Sequence, residues 1–406
     1  MRTLLRRRRP PAADEVVDDA THRHDRPIDR WQASRETPYR DSICNAPLTN
    51  LYFTVDGQVA PCWLHFTPKT PRWSPDTSIA DIWHGRLFTD LRAAHRAHRF
   101  PKACGVCEHN VETGNLPLAA AYDNDHPIGE WPTMLELELS NLCNLECIMC
   151  SGQLSSKIRR NRDHLPPLQS PYDDTFVDQV AELLPHLREL RFNGGEPLMQ
   201  PIVHDIADRV AEIRPDLKVT IATNGTIIND RARRMMERCN VHVNISIDSL
   251  IPERYAEIRV HGDLAQVLAN FEEYRRYCHD GGRNLAVMVN PMRFNWDEMA
   301  DFVWFASEHQ VFLWFNTIRY PEHLALHNLT AAELAHIHDT LAAKALPEPA
   351  EGPEGDACRG NREVFERFVH TQLATWRDEA AARGETGRGV PVRISPPPCP
   401  KPPGGS

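Results

Sequence analysis

The sequence predicts an α/β fold built on parallel strands. Six short β-rich runs follow one another between Thr133 and Tyr320, and helix-length amphipathic segments separate them. Repeated strand–helix alternation implies parallel strands joined by right-handed crossovers, which form an open or closed (βα) barrel. The chain has 406 residues, more than one core of ordinary domain size requires, so at least one further folded unit is expected.

The barrel strands are predicted from runs of β-branched and aromatic residues. In chain order these runs are TMLELELS, LRELRFNGG, LKVTIATNGT, VHVNISIDS, LAVMVNPM and VFLWFNTIRY. Helices are predicted between them at residues 176–184, 202–213, 264–277 and 296–309. In parallel sheets the chemistry lies at the carboxyl ends of the strands. Three of these ends carry recognisable motifs, which begin at Cys143, Gly194 and Asn224.

The region ahead of the barrel divides into two parts. Residues 1–40 are rich in Arg, Asp and Pro and lack an apolar period, which predicts a disordered arm. Within residues 41–125, LYFTVDGQVAPCW predicts a β-hairpin that turns at Asp56-Gly57, and SIADIWHGRLFTDLRAAH predicts one helix. This part is expected to be a small α+β module. The histidines of AHRAH, residues 94–98, are expected to be solvated.

The barrel is assigned to residues 130–325, and the chain after it shows weaker periodicity. A C-terminal helical extension is expected at residues 326–390, with helices at about 331–341 and 362–383. Residues 391–406 are rich in proline, which predicts a tail without packed structure.

Charge and composition exclude some classes of function. With 46 basic and 56 acidic residues, the net charge is −10, which argues against a nucleic-acid partner. The basic run at residues 6–9 is not followed by an apolar stretch, so a secretory signal is not expected. No run approaches the roughly 20 apolar residues of a membrane helix. We therefore expect a cytoplasmic protein without a membrane partner, whose cysteines are free thiols or metal ligands.

Seven of the eleven cysteines are grouped. They are Cys44, Cys62, Cys104, Cys107, Cys143, Cys147 and Cys150. In CNLECIMC the last three follow a Cys-x3-Cys-x2-Cys pattern, which offers three close thiolates and no obvious fourth ligand. A zinc site usually has four protein ligands, whereas three suit a [4Fe-4S] cube with one open iron. Four other cysteines stand singly and are expected to be packed thiols: Cys239, Cys278, Cys358 and Cys399.

The motif CNLECIMC resembles the CxxxCxxC signature of the radical S-adenosylmethionine (radical SAM) superfamily, and GGEP at residues 194–197 matches the second motif of that family. The resemblance covers about residues 133–320 and implies a partial (βα)6 TIM-like barrel. It implies that Cys143, Cys147 and Cys150 hold a catalytic [4Fe-4S] cluster whose fourth iron is chelated by S-adenosylmethionine. An electron from the reduced cluster then generates a 5′-deoxyadenosyl radical, which takes a hydrogen atom from the substrate.

The same resemblance implies further residues and partners. The GGEP segment would hold the methionyl ammonium, and Ser246 and Arg259 would hold the cofactor's carboxylate, although a strand-end cap and a surface arginine remain alternatives. Met149 departs from the family, in which many members have an aromatic residue there. An electron donor such as flavodoxin or ferredoxin is also implied. The implied cofactor-binding residues are Gly194, Gly195, Glu196, Pro197, Asn224, Ser246 and Arg259.

The N-terminal cysteines resemble a second module. Cys44, Gly57, Cys62 and the pair Cys104-x2-Cys107 are similar in spacing to the twitch module, a shortened SPASM domain with one auxiliary [4Fe-4S] cluster. Zinc remains an alternative ligand for four thiolates. The module usually follows the barrel, whereas here it precedes it. A cluster with four protein thiolates would relay electrons rather than bind substrate, which favours net oxidation.

The substrate is less clearly indicated. Asn290, Asn316, Arg319 and Tyr320 lie near the ends of the last predicted strands, but spacing identifies no acid–base pair. The region before Cys44 is too short for a peptide-recognition domain, so we expect oxidation of a small natural product or sugar-like molecule. Modification of a ribosomally made peptide by cross-linking, oxidation or epimerisation is the alternative within enzymes. A zinc-stabilised, non-catalytic binding scaffold is the alternative outside them.

Overall fold

The computed structural model describes residues 26–384 and has one eight-stranded sheet. The strands are β1 (Asn50–Phe53), β2 (Val59–Ala60), β3 (Met134–Leu137), β4 (Glu189–Phe192), β5 (Lys218–Thr223), β6 (Asn240–Ser246), β7 (Leu285–Val289) and β8 (Phe312–Phe315). Their order is β2-β1-β3-β4-β5-β6-β7-β8, so within the described residues the sheet ends at β2 and β8 without closing. Every pair is parallel except β1–β2. The predicted α/β fold with a partial barrel is confirmed.

Helices cover the outer face of the sheet and its β8 edge. They are α1 (Pro27–Ser34), α2 (Ala46–Thr49), α3 (Ile79–Trp83), α4 (Arg86–Arg96), α5 (Gly105–Thr113), α6 (Ser156–Asn161), α7 (Asp174–Leu183), α8 (Pro201–Ile213), α9 (Asp230–Arg238), α10 (Pro252–Ile258), α11 (Leu264–Asp280), α12 (Met299–Glu308), α13 (Ala331–Ala342), α14 (Asp356–Arg367) and α15 (Ala374–Arg383). A π-helix at Phe368–Leu373 joins α14 to α15. None of these helices is both long enough and apolar enough to cross a bilayer.

The predicted hairpin forms, and its first strand joins the barrel sheet. β1 pairs with β2 in the antiparallel sense and with β3 in parallel, in a register that sets Asn50 beside Met134 and Phe53 beside Leu137. One buried apolar cluster contains residues of the hairpin, of α3 and α4, and of the barrel. The N-terminal module and the barrel therefore share one sheet and one core.

Two local predictions differ from the structure. The helix expected through SIADIWHGRLFTDLRAAH is divided into α3 and α4, because Gly85 is extended (ψ 170°) and caps the start of α4. The disordered arm expected at residues 1–40 contains α1 from Pro27, and Trp31 is 3% exposed with its indole N–H donating to the carbonyl of Ile43. An average over charged residues misses such a single anchoring side chain. Residues 1–25 and 385–406, which include Cys399 and the predicted tail, lie outside the described residues.

The two faces of the sheet have opposite character. Side chains alternate along each strand, so Leu135, Leu190 and Val219 pack outward among the helices and are fully buried. The inner face carries polar residues at the intervening positions, for example Glu136 and Arg191. This polar inner face, rather than the apolar outer face, is therefore the surface on which a ligand can be held.

The C-terminal helices protect the β8 edge. Asn361 of α14 is 1% exposed, and its side chain accepts from the N–H of Leu313 at 2.8 Å and donates to the carbonyl of Val311 at 3.0 Å. An unpaired strand edge invites association with other chains. Asn361 therefore satisfies two main-chain groups that β8 would otherwise leave open.

We expect Asn361→Leu to destabilise the protein by about 3 kcal/mol. The leucine side chain has roughly the volume of the asparagine side chain but leaves two buried main-chain groups without hydrogen-bond partners. Urea unfolding of both proteins measures the difference. Glu363→Leu, an exposed position on the same helix, is the control and should change the free energy of unfolding by less than about 0.5 kcal/mol. Similar losses in both variants would contradict the capping role.

Candidate active site and metal centres

The loop after β3 brings three thiols together. The charges of Cys150 and Cys143 both raise the pKa of Cys147, and the charge of Cys143 raises that of Cys150, so the three are close neighbours. Burial raises the pKa of Cys147 to about 12 and that of Cys150 to about 11. Thiols held neutral by burial become thiolates when a cation binds them, and such a loop is suited to a metal. The loop is fixed from outside, since Ser155 Oγ donates to the carbonyl of Leu145 at 2.7 Å.

Three thiols are a ligand set that suits an iron–sulfur cluster better than a single zinc ion. In residues 26–384, no three His, Cys, Asp or Glu side chains converge closely enough to hold a single metal ion. A zinc ion needs four donors around one point. In an iron–sulfur cube each thiolate binds a different iron, so the donors need not converge.

Two consecutive glycines allow the GGEP segment to pack on the cysteine loop. Gly194 and Gly195 have φ of +68° and +54°. A Cβ on Gly195 would lie 2.6 Å from the carbonyl oxygen of Leu142 and 2.7 Å from that of Ser140. We expected these glycines to allow close approach to a ligand. In the structure Gly195 approaches the main chain of the cysteine loop itself, whereas Gly194 packs against Glu138.

Glu196 of the same segment is fully buried and joins two strand ends. Its carboxylate accepts from the Thr223 hydroxyl and the Asn224 N–H, both at 2.8 Å, and from the Leu198 N–H at 3.3 Å. Burial raises the pKa of Glu196. Three donors thus already surround this carboxylate. The resemblance implies that the carboxylate also binds the methionyl ammonium of the cofactor, and this contact stays a prediction. Pro197 begins a 3₁₀ turn that continues the segment away from the loop.

Asn224 lies against the first cysteine. Its side-chain amide donates to Asn144 Oδ1 at 2.9 Å and is 3.9 Å from Cys143 Sγ. Its amide oxygen accepts from the hydroxyl of Thr226 at 2.6 Å. The ends of β4 and β5 are therefore both bound to the loop that the three cysteines occupy.

Arg259 is not a surface arginine. It is 6% exposed, its Nε donates to Asp248 Oδ2 at 2.8 Å, and its charge lowers the pKa of all three thiols of the loop. Asp248 also accepts from the N–H and side-chain amide of Asn290, at 2.7 and 2.9 Å. A buried ion pair thus connects the ends of β6 and β7 to the cysteine loop. Ser246, the last residue of β6, is half-buried on the inner face.

The four N-terminal cysteines also come together. The pKa of Cys62 is raised by burial first and then by the charges of Cys44, Cys107 and Cys104. The segment after the hairpin supplies Cys62, the turn before α5 supplies Cys104, and the first turn of α5 supplies Cys107. The predicted grouping is therefore present in the structure.

A buried histidine accompanies these cysteines. His95 Nε2 is 3.7 Å from Cys104 Sγ, and the ring is 3% exposed. Burial lowers the pKa of His95 to about 4, so it is neutral at physiological pH. The expectation that the AHRAH histidines are solvated is wrong for His95, because α4 turns this side of the helix towards Cys104. Only the helical position of His95, four residues after the buried Leu91, signals this in the sequence.

The inner face of the sheet encloses a chamber of about 800 Å³. The N-terminal module closes one side and the C-terminal helices close another. Asn316 and Arg319 line it, whereas Asn290 is bound to Asp248 and Tyr320 is 77% exposed. Other lining residues are Tyr52, Trp63, His109, Asn110, Glu136, Glu138, Asn193, Arg191, Lys218, His242, Asn244, Phe312, Trp314, Arg367, Gln372, Trp376 and Glu379.

Glu138 is a chamber residue whose pKa lies far above that of an ordinary carboxyl group. Burial raises its pKa to about 7, while a hydrogen bond from Tyr52 lowers it and the charge of Glu136 raises it further. A group that is partly ionised at neutral pH can accept or donate a proton. Sequence spacing did not reveal this residue, because its environment comes from β1, more than 80 positions away.

Comparison with known proteins gives matches for both parts of the chain. Residues 137–306 match the family described as "Radical SAM superfamily". Residues 44–108 match SPASM, described as "Iron-sulfur cluster-binding domain". Together they indicate a catalytic [4Fe-4S] cluster with S-adenosylmethionine and an auxiliary iron–sulfur cluster. The zinc alternative for the N-terminal cysteines is therefore not retained.

Similar proteins include two named GTP 3′,8-cyclase. That of Clostridium perfringens (strain 13 / Type A) is 29% identical over 184 residues, which are 45% of this chain and 54% of the relative. That of Alkaliphilus metalliredigens (strain QYMF) is 28% identical over 170 residues, 41% of this chain and 50% of the relative. The chain thus spans about half the length of these relatives.

Solved structures with a similar fold include Streptococcus suis SuiB bound to S-adenosylmethionine, with 15% identity and a TM-score of 0.40 over 67% of this chain and 68% of that one. Native anSMEcpe with bound AdoMet has 16% identity and a TM-score of 0.39 over 52% of this chain and 58% of that one.

We expect Gly195→Ala to lower the iron content from about eight to about four per chain, because the added Cβ displaces the catalytic loop and leaves the auxiliary cysteines intact. Iron and sulfide analysis after anoxic reconstitution measures this. Gly105→Ala is the control, since its Cβ would meet open space beside Cys104. Full iron content in Gly195→Ala would show that the close packing is not needed for cluster binding.

The raised pKa of Glu138 predicts that the free energy of unfolding depends on pH. Because its folded pKa of about 7 lies above the ordinary 4.5, the folded state retains a proton that the unfolded state loses, and stability falls by about 3 kcal/mol between pH 4.5 and 7. Urea unfolding of metal-free protein should show this fall, and Glu138→Gln should flatten it. Glu189→Gln is the control, because the pKa of Glu189 is lowered to about 2 and this group does not titrate between pH 4.5 and 7 in the folded state. The decline in stability over that range should therefore persist in Glu189→Gln.

Proposed function

Because the chain is a radical SAM protein that carries an auxiliary iron–sulfur domain ahead of its barrel, we propose that it is an enzyme that removes a hydrogen atom from a substrate in the chamber and completes a net two-electron oxidation. In this proposal Cys143, Cys147 and Cys150 hold the catalytic cluster. When bound, that cluster and S-adenosylmethionine supply the 5′-deoxyadenosyl radical that takes the hydrogen atom. The auxiliary cluster is held by Cys44, Cys62, Cys104 and Cys107.

One observation carries the proposal: the chamber has neighbours of both cysteine groups in its walls. Asn193 precedes the GGEP segment that packs on the catalytic loop. Trp63 follows Cys62, and His109 lies two residues after Cys107. A molecule in the chamber would therefore lie between the two centres.

The chain supplies groups for the steps that follow hydrogen-atom removal. A carbon radical next to a hydroxyl becomes a carbonyl when it loses one proton and one electron. Glu138, on the chamber wall and with a pKa of about 7, is the candidate to accept the proton. In this proposal the auxiliary cluster, held beside the same chamber, accepts the electron, and the wide range of potentials of such clusters makes this step feasible.

The residues around the catalytic loop have positioning roles in this proposal. The Gly194–Gly195 turn and Glu196 fix the loop against the ends of β4 and β5. Arg259, held in place by Asp248, brings a positive charge to the three thiols in a buried site and favours their thiolate form. The cofactor contacts assigned to Pro197, Asn224, Ser246 and Arg259 remain predictions.

The chamber favours a small substrate. Its volume of about 800 Å³ falls within the roughly 300–1,000 Å³ of small-molecule sites. Polar side chains on the sheet suit a hydroxylated, sugar-like molecule. A peptide is the second candidate, because Trp63, Phe312 and Trp314 are each at least 41% exposed and offer aromatic contacts for a side chain.

We expect Cys143→Ala to abolish 5′-deoxyadenosine formation under strong reductant, because the catalytic cluster loses a ligand. Cys104→Ala should retain at least some cofactor cleavage, because it affects the other centre. Liquid chromatography of 5′-deoxyadenosine measures both, with Cys278→Ala, a buried thiol outside both groups, as the control. Equal loss in Cys143→Ala and Cys104→Ala would argue against separate roles for the two centres.

A further inference from the structure

The last turn of α4 places a histidine ring beside two of the N-terminal cysteines. Phe88, Leu91 and His95 are the buried residues of this helix, so the ring lies on its buried face. His95 Nε2 is 3.7 Å from Cys104 Sγ. Burial is the largest influence on the pKa of the ring and the carbonyl group of Cys44 is the next, so the ring also lies close to the main chain of Cys44. His95 is thus a neighbour of two residues that are proposed to hold the auxiliary cluster.

Main-chain hydrogen bonds fix the positions of the histidine and of the sulfur. The N–H of Ile43 donates to the carbonyl of His95 at 3.2 Å, which binds the end of α4 to the segment that carries Cys44. The N–H of Cys104 donates to the carbonyl of Pro101 at 2.7 Å and closes the turn that presents its sulfur. The ring of His95 is 3% exposed and has little room to rotate in a close-packed interior. The contact between ring and sulfur is therefore built into the fold.

The chemistry of the two atoms decides which of them donates. A cysteine sulfur that is bound to iron has lost its proton and can only accept a hydrogen bond. A histidine ring carries a hydrogen on at least one of its nitrogens. The other ring nitrogen of His95, Nδ1, is buried and has no hydrogen-bond partner within residues 26–384. The favourable arrangement therefore has the hydrogen on Nε2, directed at Cys104 Sγ.

We propose that His95 donates a hydrogen bond from Nε2 to the sulfur of Cys104 when the auxiliary cluster is bound, and that this bond raises the reduction potential of that cluster. The inference rests on the proposed function, in which the auxiliary cluster accepts an electron, and it adds a positioning residue that makes the cluster a better acceptor. Reduction adds one electron, and hence one negative charge, to the cluster and its sulfur ligands. A donor hydrogen stabilises the more negative state more strongly, and hydrogen bonds to the sulfurs are among the factors that set the potential.

A second buried histidine provides a matched comparison. His65 is also 3% exposed, and its Nδ1 likewise lacks a hydrogen-bond partner in the part of the chain that the structure describes. Its N–H donates to the carbonyl of Cys62 at 3.2 Å, so its main chain lies beside another of the four cysteines. Among the described residues, however, its ring makes no hydrogen bond to a sulfur. The two histidines therefore differ in the contact on which the inference depends.

The test uses the reconstituted full chain with both clusters. Dye-mediated redox titration, followed by electron paramagnetic resonance, gives the midpoint potential of each cluster, and the change of signal on adding S-adenosylmethionine identifies the catalytic one. His95→Leu removes the donor at similar volume. His95→Gln retains an N–H close to the position of Nε2. His65→Leu is the control.

The expected effect is a lower potential in one variant alone. At the potential at which the auxiliary cluster of the unmodified chain is half reduced, the ratio of reduced to oxidised cluster should fall at least about tenfold in His95→Leu. This corresponds to a midpoint about 59 mV lower for a one-electron couple. His95→Gln and His65→Leu should stay within about threefold of the unmodified chain. The catalytic cluster should titrate unchanged in every variant.

A second measurement does not depend on a variant that keeps its cluster. In the unmodified chain labelled with ¹⁵N-histidine, pulsed electron paramagnetic resonance of the reduced auxiliary cluster should show a weak coupling to a histidine nitrogen. Such a coupling is expected for a ring that is hydrogen-bonded to a ligand sulfur rather than bound to iron. His95→Gln should remove the coupling, and His65→Leu should retain it.

Several outcomes would overturn the inference. They are an unchanged midpoint in His95→Leu, an equal fall in His95→Leu and either comparison variant, and the absence of a histidine coupling in the unmodified chain. A strong coupling would also overturn it, because the nitrogen would then bind iron directly. If His95→Leu loses the auxiliary cluster, the coupling in the unmodified chain decides. These measurements need no substrate, whereas the proposed function fails if no 5′-deoxyadenosine forms under strong reductant, whatever the role of His95.

Discussion

The parallel pairing of β1 with β3 is the constraint on which the rest of this structure depends. Four residue pairs join the two strands, and Cys62 lies two residues beyond β2 while Cys143 lies six residues beyond β3. The register matters as much as the pairing. A slip of one residue would move Tyr52 from the chamber into the core and expose Leu51 and Phe53 to the chamber. The distance between the two cysteine groups is thus a property of one strand register.

The polar interior of the barrel is stable because its charged groups are paired with one another. Glu136 accepts from Asn50 at 2.9 Å and from Tyr122 at 2.5 Å, and Arg191 donates to Glu189 at 2.9 Å. Buried polar groups are costly when they lack partners and are tolerated when a network is complete. The groups that act on the pKa of Glu138 are Tyr52 and Glu136, and neither of them is a cation. Because no positive charge offsets the effect of burial, the pKa of Glu138 lies near neutral pH.

Local patterns in the sequence were sufficient to predict the strands, most of the helices and the two cysteine groups. Each of these depends on residues close together in the chain, such as the spacing in CNLECIMC or the apolar alternation around Val219. The features that were missed depend on distant segments. The addition of β1 to the barrel joins residues more than 80 positions apart, and no local pattern encodes that pairing. The environment of Glu138 follows from it, because Tyr52 of β1 contacts this carboxylate.

Other differences arose from single residues within otherwise ordinary stretches. Trp31 anchors α1 in a region whose average composition resembles that of unfolded chains. Gly85 divides a stretch with good helical periodicity into α3 and α4. The close approach of another group to Gly195 was predicted from its residue type. The group that approaches was not predicted, because the carbonyl oxygens that a Cβ would meet belong to a loop about 50 residues earlier in the chain.

The position of the auxiliary module ahead of the barrel has a consequence for synthesis. On the ribosome, Cys44, Cys62, Cys104 and Cys107 emerge before β3, so the β1 edge stays open until residue 137 has been translated. An open strand edge in a nascent chain is prone to mispairing. Early insertion of the auxiliary cluster would hold the hairpin and the start of α5 together during that interval, and would give the growing barrel a preformed first strand to extend.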